Sequence, residues 1–155
     1  MDKQIEVQSP NPLVFKDGYI TIFLAGSIEM GNAEKWQEKI IKSLKNEQVI
    51  FFNPRRDDWD SSWEQKITNP EFKKQVSWEL KALEASDVII MYFDPNTKSP
   101  ISLLELGLHA KSKKLIVFCP DGFWRKGNVD IVCERYNIKQ VNNFEDLILE
   151  VKSIL

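Results

Sequence analysis

Short apolar runs alternate with longer amphipathic segments along almost the whole chain, and this alternation is what most constrains its fold. YITIFLA (19–25) has the character of a buried strand ending in Gly26-Ser27, and NAEKWQEKIIKSLKN (32–46) follows as a helix with Trp36, Ile40 and Leu44 on one side and Asn32 as its cap. VIFF (49–52) is a second strand. Beyond the loop NPRRDDWDSSW come a helix over 70–86 begun by Pro70, the strand DVIIMYF (87–93), and a helix capped by Ser99 with Pro100 in its first turn. KLIVFC (114–119), GNVDIVCERYN (127–137), IKQV (138–141) and FEDLILEVKSIL (144–155) continue as strand, helix, short strand and helix. Five strands alternating with helices predict an α/β fold: a parallel sheet covered on both faces and joined by right-handed crossovers. A length of 155 residues suits one domain over 1–155, with the polar, proline-marked residues 1–18 as a loose N-terminal arm.

The charge balance narrows the partners. A formal net charge of −2 gives no generic surface for polyanions, so nucleic acid is not expected as a partner. The N-terminal residues lack a long apolar core and no apolar run reaches spanning length, which predicts a cytoplasmic protein with no membrane association. Cys119 and Cys133 form no CxxC pair, and His109 is the single histidine, so no cysteine/histidine metal site is expected. Both thiols fit better as small core residues than as redox centres.

An open parallel sheet binds ligands beyond the C-terminal ends of its strands, and the polar clusters AGSIEMG, NPRRDDWD, DPNTKSP and PDGFWRKGN all follow strands. In SPISLLELGLHA (99–110), Ile101, Leu104 and Leu108 form an apolar stripe expected to pack, and Glu105 falls on it. A carboxylate there is either satisfied by a lysine or backbone donors or left at the edge of a cleft for use. Glu79 makes the same exception between Phe72, Val76 and Leu83 of the preceding helix. Two acids on core-facing helices suggest divided roles, one ionised and one protonated, which is the arrangement glycosyl transfer most often uses.

Two loops leave their roles open. Gly26-Ser27-Ile28 with Gly31 either makes a glycine-assisted turn or brings backbone N–H groups against an anion or hydroxyl; neither GxGxxG nor GxxxxGK[ST] is present. In NPRRDDWD, Arg55 and Arg56 either pair with neighbouring acids such as Asp57 and Asp58 or join Trp59 in enclosing a planar base.

Taken together, FLAGSIEMG, NPRRDDWD, QVSWELKALEASDVIIMYF, SPISLLELGLHA and FWRKGNVD resemble the nucleoside 2-deoxyribosyltransferase family, in its nucleoside 2-deoxyribosyltransferase-like branch, from about Tyr19 to Tyr136. The resemblance implies a flavodoxin-like (Rossmann-like) three-layer fold with strand order 2-1-3-4-5, and cofactor-free, metal-free cleavage of the bond between a deoxyribose and a base. It implies Glu105 as the nucleophile that forms a covalent deoxyribosyl-enzyme, and Glu79, an aspartate in typical transferases, as the proton carrier for leaving and arriving bases. Substrate contacts are implied at Gly26, Ser27, Ile28, Arg56, Asp58, Trp59, Ser99 and Asn128, the last donated by a neighbouring subunit of a homodimer or larger homo-oligomer.

Ser99 stands where typical transferases have an aspartate. With the GSI turn it resembles instead the related 2'-deoxynucleoside 5'-monophosphate N-hydrolases, which surround a 5'-phosphate with serines, and Phe23 replaces a first-strand tyrosine. The expected activity is therefore deoxyribosyl transfer between nucleobases of 2'-deoxynucleosides, with hydrolysis of the 5'-monophosphates as the alternative. The rivals from other classes are a non-catalytic nucleotide-binding module and a partner surface built on Trp59, Trp63 and Trp124.

Overall fold

The computed structural model describes residues 3–28, 34–56 and 58–155. Strands β1 (Ile5–Gln8), β2 (Ile20–Gly26), β3 (Val49–Asn53), β4 (Val88–Tyr92), β5 (Leu115–Phe118) and β6 (Lys139–Val141) form one sheet in the order β1-β3-β2-β4-β5-β6, and every pairing is parallel. The five expected strands are β2 to β6, in the expected order. A sixth, β1, corrects the expectation of five: it pairs outside β3, with Ile5 opposite Ile50 and Gln8 opposite Asn53. The segment expected as a loose arm therefore carries an edge strand. Its signal is the two-residue alternation of Ile5 and Val7 with Glu6 and Gln8, too short to stand out beside Pro10 and Pro12.

Strands β3, β4 and β5 are buried along their whole lengths, as strands of a parallel sheet covered on both faces must be. Five helices supply the covers: α1 (Trp36–Ser43), α2 (Pro70–Ala85), α3 (Pro100–His109), α4 (Lys126–Arg135) and α5 (Phe144–Lys152). Trp78 of α2, Leu106 of α3 and Cys133 of α4 share one core with Phe23, Ala25, Phe52 and Met91. Trp36 and Ile40 of α1 and Leu147 of α5 share the other with Ile22, Leu24 and Phe51. Local signals set the helix starts, since the Asn69 side chain accepts from Phe72 N at 3.0 Å and Asn143 accepts from Asp146 N at 2.7 Å. The cap expected at Asn32, with Gly31 and Asp57, lies outside the described residues.

Helix α3 is turned differently from expectation. Ile101, Leu104 and Leu108 are 56%, 59% and 57% exposed, while Ser102, Glu105, Leu106 and Ala110 face inward. Both sets recur at helical spacing, so periodicity alone could not choose between them. The choice is made at the helix start, where Ser99 holds a left-handed conformation (φ 47°) and its hydroxyl is tied into the end of the sheet. Glu105 is thus buried, but on a stripe of small and polar residues. Among the described residues no helix is long and apolar enough to cross a membrane.

Candidate active site

The carboxyl ends of β2 and β4 meet at a corner that fixes the start of α3. Gly26 lies opposite Tyr92 in the ladder with φ +125°, and a Cβ built on it would stand 2.3 Å from Tyr92 O. Only glycine fits both constraints. Ser27 N then donates to Tyr92 O at 2.9 Å, and Asp94 N donates to Ser27 Oγ at 2.7 Å. Thr97 Oγ1 lies 2.9 Å from Ser27 Oγ and 2.8 Å from Ser99 Oγ, and the two serine hydroxyls also bond each other. All three hydroxyl residues are buried. The Gly26-Ser27 turn is therefore a bracket that locks β2, β4 and α3 together, and the Ser27 N–H is already engaged. Ile28, at the end of the described turn, is half-buried.

One turn into α3 the polar chemistry changes. Glu105 is 7% exposed and, among the described residues, has no hydrogen-bond or ion-pair partner. Its oxygens are also absent from the fully enclosed polar atoms without partners, which are Gln37 Nε2 and Trp59 Nε1. The carboxyl is buried on the inward face of α3. Burial pushes Glu105 up to about 8, and the nearby negative charge of Glu79 adds to the shift. Glu79, half-buried on the flank of α2, is pushed up to about 7 by burial, against a hydrogen bond from Gln75 that favours its ionised form. The charge of Glu79 raises proton affinity at Glu105, so the two titrate as a coupled pair, which holds one proton between about 7 and about 8.

The loop after β3 meets α2 at Gln75, where Arg56 Nη1 donates to Gln75 Oε1 at 3.2 Å and Gln75 Nε2 donates to Pro54 O at 3.2 Å. Arg56 grips Asp58 with two bonds, Nε to Oδ1 at 2.8 Å and Nη2 to Oδ2 at 3.0 Å, which holds the Asp58 carboxyl below its usual range. The same guanidinium lies 6.0 Å from the Trp59 ring centre and 5.5 Å from that of Trp63, while the two rings meet edge to face at 4.8 Å. Of the alternatives set out above, the pairing of Arg56 with an acid is the one present, beside two tryptophan rings. Arg55 points elsewhere: it is buried and donates to Glu34 O at 2.9 Å and to Gln37 Oε1 at 3.2 Å. Trp124 is half-exposed, with Lys98 and Arg125 each 4.5 Å from its ring centre.

Asn128 is not brought to Glu105 within one chain. It is exposed on α4, in a groove of about 290 Å³ shared with Leu103, Leu106 and Gly107 of α3, and Glu105 is not among the walls. Phe23, in the tyrosine's place, is fully buried against Trp78. Cys119 and Cys133 are buried and free, and burial pushes both thiols up, to about 12 and about 11, so neither forms a nucleophilic thiolate near neutrality. Among the described residues no three His, Cys, Asp or Glu side chains gather as metal ligands.

Two residues of the site carried no signal in the sequence reading. Thr97 completes the hydroxyl bracket, and Gln75 links Arg56, Ser9 and Pro54. Gln75 was discoverable as a polar residue four before Glu79, on the same helical stripe as Trp78 and Ala82.

Residues 19–123 match the family described as "Nucleoside 2-deoxyribosyltransferase like". A crystal structure of a conserved protein from Enterococcus faecalis V583 has the same fold, with a TM-score of 0.65 at 15% identity over 88% of this chain and 99% of that one. No curated protein matches the chain.

Proposed function

Because this chain belongs to the nucleoside 2-deoxyribosyltransferase-like family, with the match spanning residues 19–123, we propose that it cleaves the N-glycosidic bond of 2'-deoxynucleosides through a deoxyribosyl ester on Glu105. The observation that supports this reading is a buried carboxyl with no hydrogen-bond or ion-pair partner among the described residues, close enough to a second carboxyl, Glu79, to feel its charge. Glu105 holds a proton more tightly than Glu79, so the productive state, with Glu105 ionised and Glu79 protonated, is the minor one-proton form of the pair. As a Glu105 oxygen bonds to C1' of the sugar, the C1'–N bond breaks, its electron pair leaves with the base, and Glu79 protonates that base. In transfer, the ring nitrogen of an arriving base attacks C1', gives its proton to Glu79, and frees Glu105. In hydrolysis, water takes the arriving base's place.

The bracketed hydroxyls favour transfer between nucleosides over a phosphate-directed hydrolase. Ser27 and Ser99 already satisfy each other and Thr97, so a 5'-phosphate would have to displace those bonds. Substrate contacts are proposed at Gly26, Ile28, Arg56, Asp58 and Trp59 along the cleft rim, with Ser27 and Ser99 shaping its floor.

A second copy of the chain is proposed to complete the site. Ile101 and Leu108 precede and follow Glu105 by one helical turn, so the exposed apolar face of α3 adjoins the mouth of the cleft. A partner packed there would exclude water from Glu105 and offer its own Asn128 to the sugar.

The test is chromatographic. The wild type and Glu105→Ala are incubated with 2'-deoxynucleosides and their 5'-monophosphates, with and without a free acceptor base. A new nucleoside formed only with acceptor supports transfer, and base released without acceptor supports hydrolysis. Turnover by Glu105→Ala equal to wild type would overturn the assignment. Because the productive pair carries one proton, kcat/KM is expected to be bell-shaped, falling below about 7 as the pair takes up its second proton and above about 8 as it loses its last.

A further inference from the structure

Three buried polar residues follow one another at three-residue intervals along α3 and its cap: Ser99, Ser102 and Glu105. Ser99 is engaged in the hydroxyl bracket with Ser27 and Thr97. Ser102 is only 4% exposed, yet among the described residues its hydroxyl makes no hydrogen bond. A serine inside a helix ordinarily turns its hydroxyl back to the carbonyl four residues earlier. That carbonyl is Lys98 O, which accepts instead from Trp124 Nε1 at 2.8 Å. A buried hydroxyl without a partner costs stability, and this cost falls one helical turn from the unpaired carboxyl of Glu105.

Residues three apart on a helix hold their Cβ atoms about 5–6 Å from each other, and each Cβ tilts toward the helix start, so the Glu105 side chain leans over the turn that carries Ser102. The two make no bond with each other, which leaves the hydroxyl's donor and both its acceptor sites for a third group. The stereochemistry of the proposed reaction identifies that group. Displacement at C1' of a 2'-deoxynucleoside comes from the face of the sugar opposite the base, so the attacking carboxylate lies under the ring. The 3'-hydroxyl projects from that same face and is its one polar substituent, because the base and the 5' carbon both stand on the other.

From this arrangement we infer that Ser102 is a substrate-contacting residue, whose hydroxyl bonds the 3'-hydroxyl of the deoxyribose and so sets C1' over Glu105. The inference rests on the reading of Glu105 as nucleophile and deepens it: the substrate class is narrowed to sugars with a free 3'-hydroxyl. A sugar without that group leaves Ser102 unpaired in the complex and is disfavoured accordingly.

The test compares one base on three sugars: a 2'-deoxynucleoside, its 2',3'-dideoxy counterpart and its 2',5'-dideoxy counterpart. Calorimetric binding to Glu105→Gln is expected to favour the 2'-deoxynucleoside over the 2',3'-dideoxynucleoside roughly tenfold, and Ser102→Ala in that background should abolish the preference. In base-release kinetics the ratio of kcat/KM for the same two substrates should fall by the same factor in Ser102→Ala. A ratio that Ser102→Ala leaves unchanged overturns the inference. So does a loss confined to the comparison with the 2',5'-dideoxynucleoside, which would put the hydroxyl against the 5' end. A structural role is read separately in thermal melts. A hydroxyl without a protein partner adds nothing to folding, so Ser102→Ala should melt at or above the wild type, and a lower Tm would equally overturn the inference. Failure of the parent reading looks different: Glu105→Gln then releases base at the wild-type rate from every sugar, while the ratio in Ser102→Ala still reports on the hydroxyl.

Discussion

Two buried polar clusters lie along the same helix, one turn apart, and they are built on opposite principles. At the start of α3, Ser27, Thr97 and Ser99 satisfy one another and the adjoining backbone. At its middle, Glu105 has no partner among the described residues except the charge of Glu79, which repels it. A satisfied buried network stabilises and specifies the fold, whereas an unsatisfied buried carboxyl costs stability and persists where its reactivity is used. The first cluster therefore holds the second in place. On the proposed mechanism, the contrast separates scaffold from chemistry.

The largest effect on stability should come from the scaffold side. Gly26→Ala places a methyl against Tyr92 O in a backbone conformation that side chains avoid, and a loss of about 3–5 kcal/mol in denaturant unfolding is expected. A smaller loss would mean that the corner yields more easily than its geometry implies.

The chemistry side should respond in the opposite direction. Glu105→Gln removes the need to bury a charge, so it should stabilise the protein by about 1–3 kcal/mol at and above neutral pH while abolishing turnover. The folded protein holds the Glu105 proton to about 8, well above the ordinary carboxyl range. The stability associated with that proton is thus fully present below the unfolded value and is lost as pH rises to about 8. Thermal melts from pH 5 to 9 should therefore show the variant's advantage growing with pH, and a pH-independent difference would break the comparison.

The smallest effect distinguishes the two clusters most finely. Ser99→Ala removes one member of the hydroxyl bracket and should cost about 1–2 kcal/mol, with activity on nucleosides largely kept if the new apolar contact preserves the helix start. A selective collapse of activity on 5'-monophosphates alone would instead move Ser99 from scaffold to substrate contact.

Much of the fold was legible because it rests on local signals. The strands β2 to β6 are apolar runs of the right length, and Pro70 and Pro100 mark helix starts where they occur. What escaped was set by tertiary contact. Strand β1 has only Ile5 and Val7 facing inward and forms because β3 offers it an edge. Helix α3 offers two stripes at helical spacing, and its rotation is chosen by hydroxyls from two separate loops. Glu105 announced itself as a charge in an apolar helix, and Glu79 likewise. Gln75 did not, because the residues that orient it, Ser9 and Arg56, are far from it in sequence and none of the three is anomalous where it stands.

The most direct test of the account is the covalent step itself. Acid-quenched mixtures of the protein with a reactive 2'-deoxynucleoside, taken through the first turnover and analysed by peptide mass spectrometry, should show a deoxyribosyl adduct on the peptide bearing Glu105 that disappears in Glu105→Gln. Base release at the wild-type rate by Glu105→Gln, or an adduct mapped to another residue such as Glu79, would contradict it.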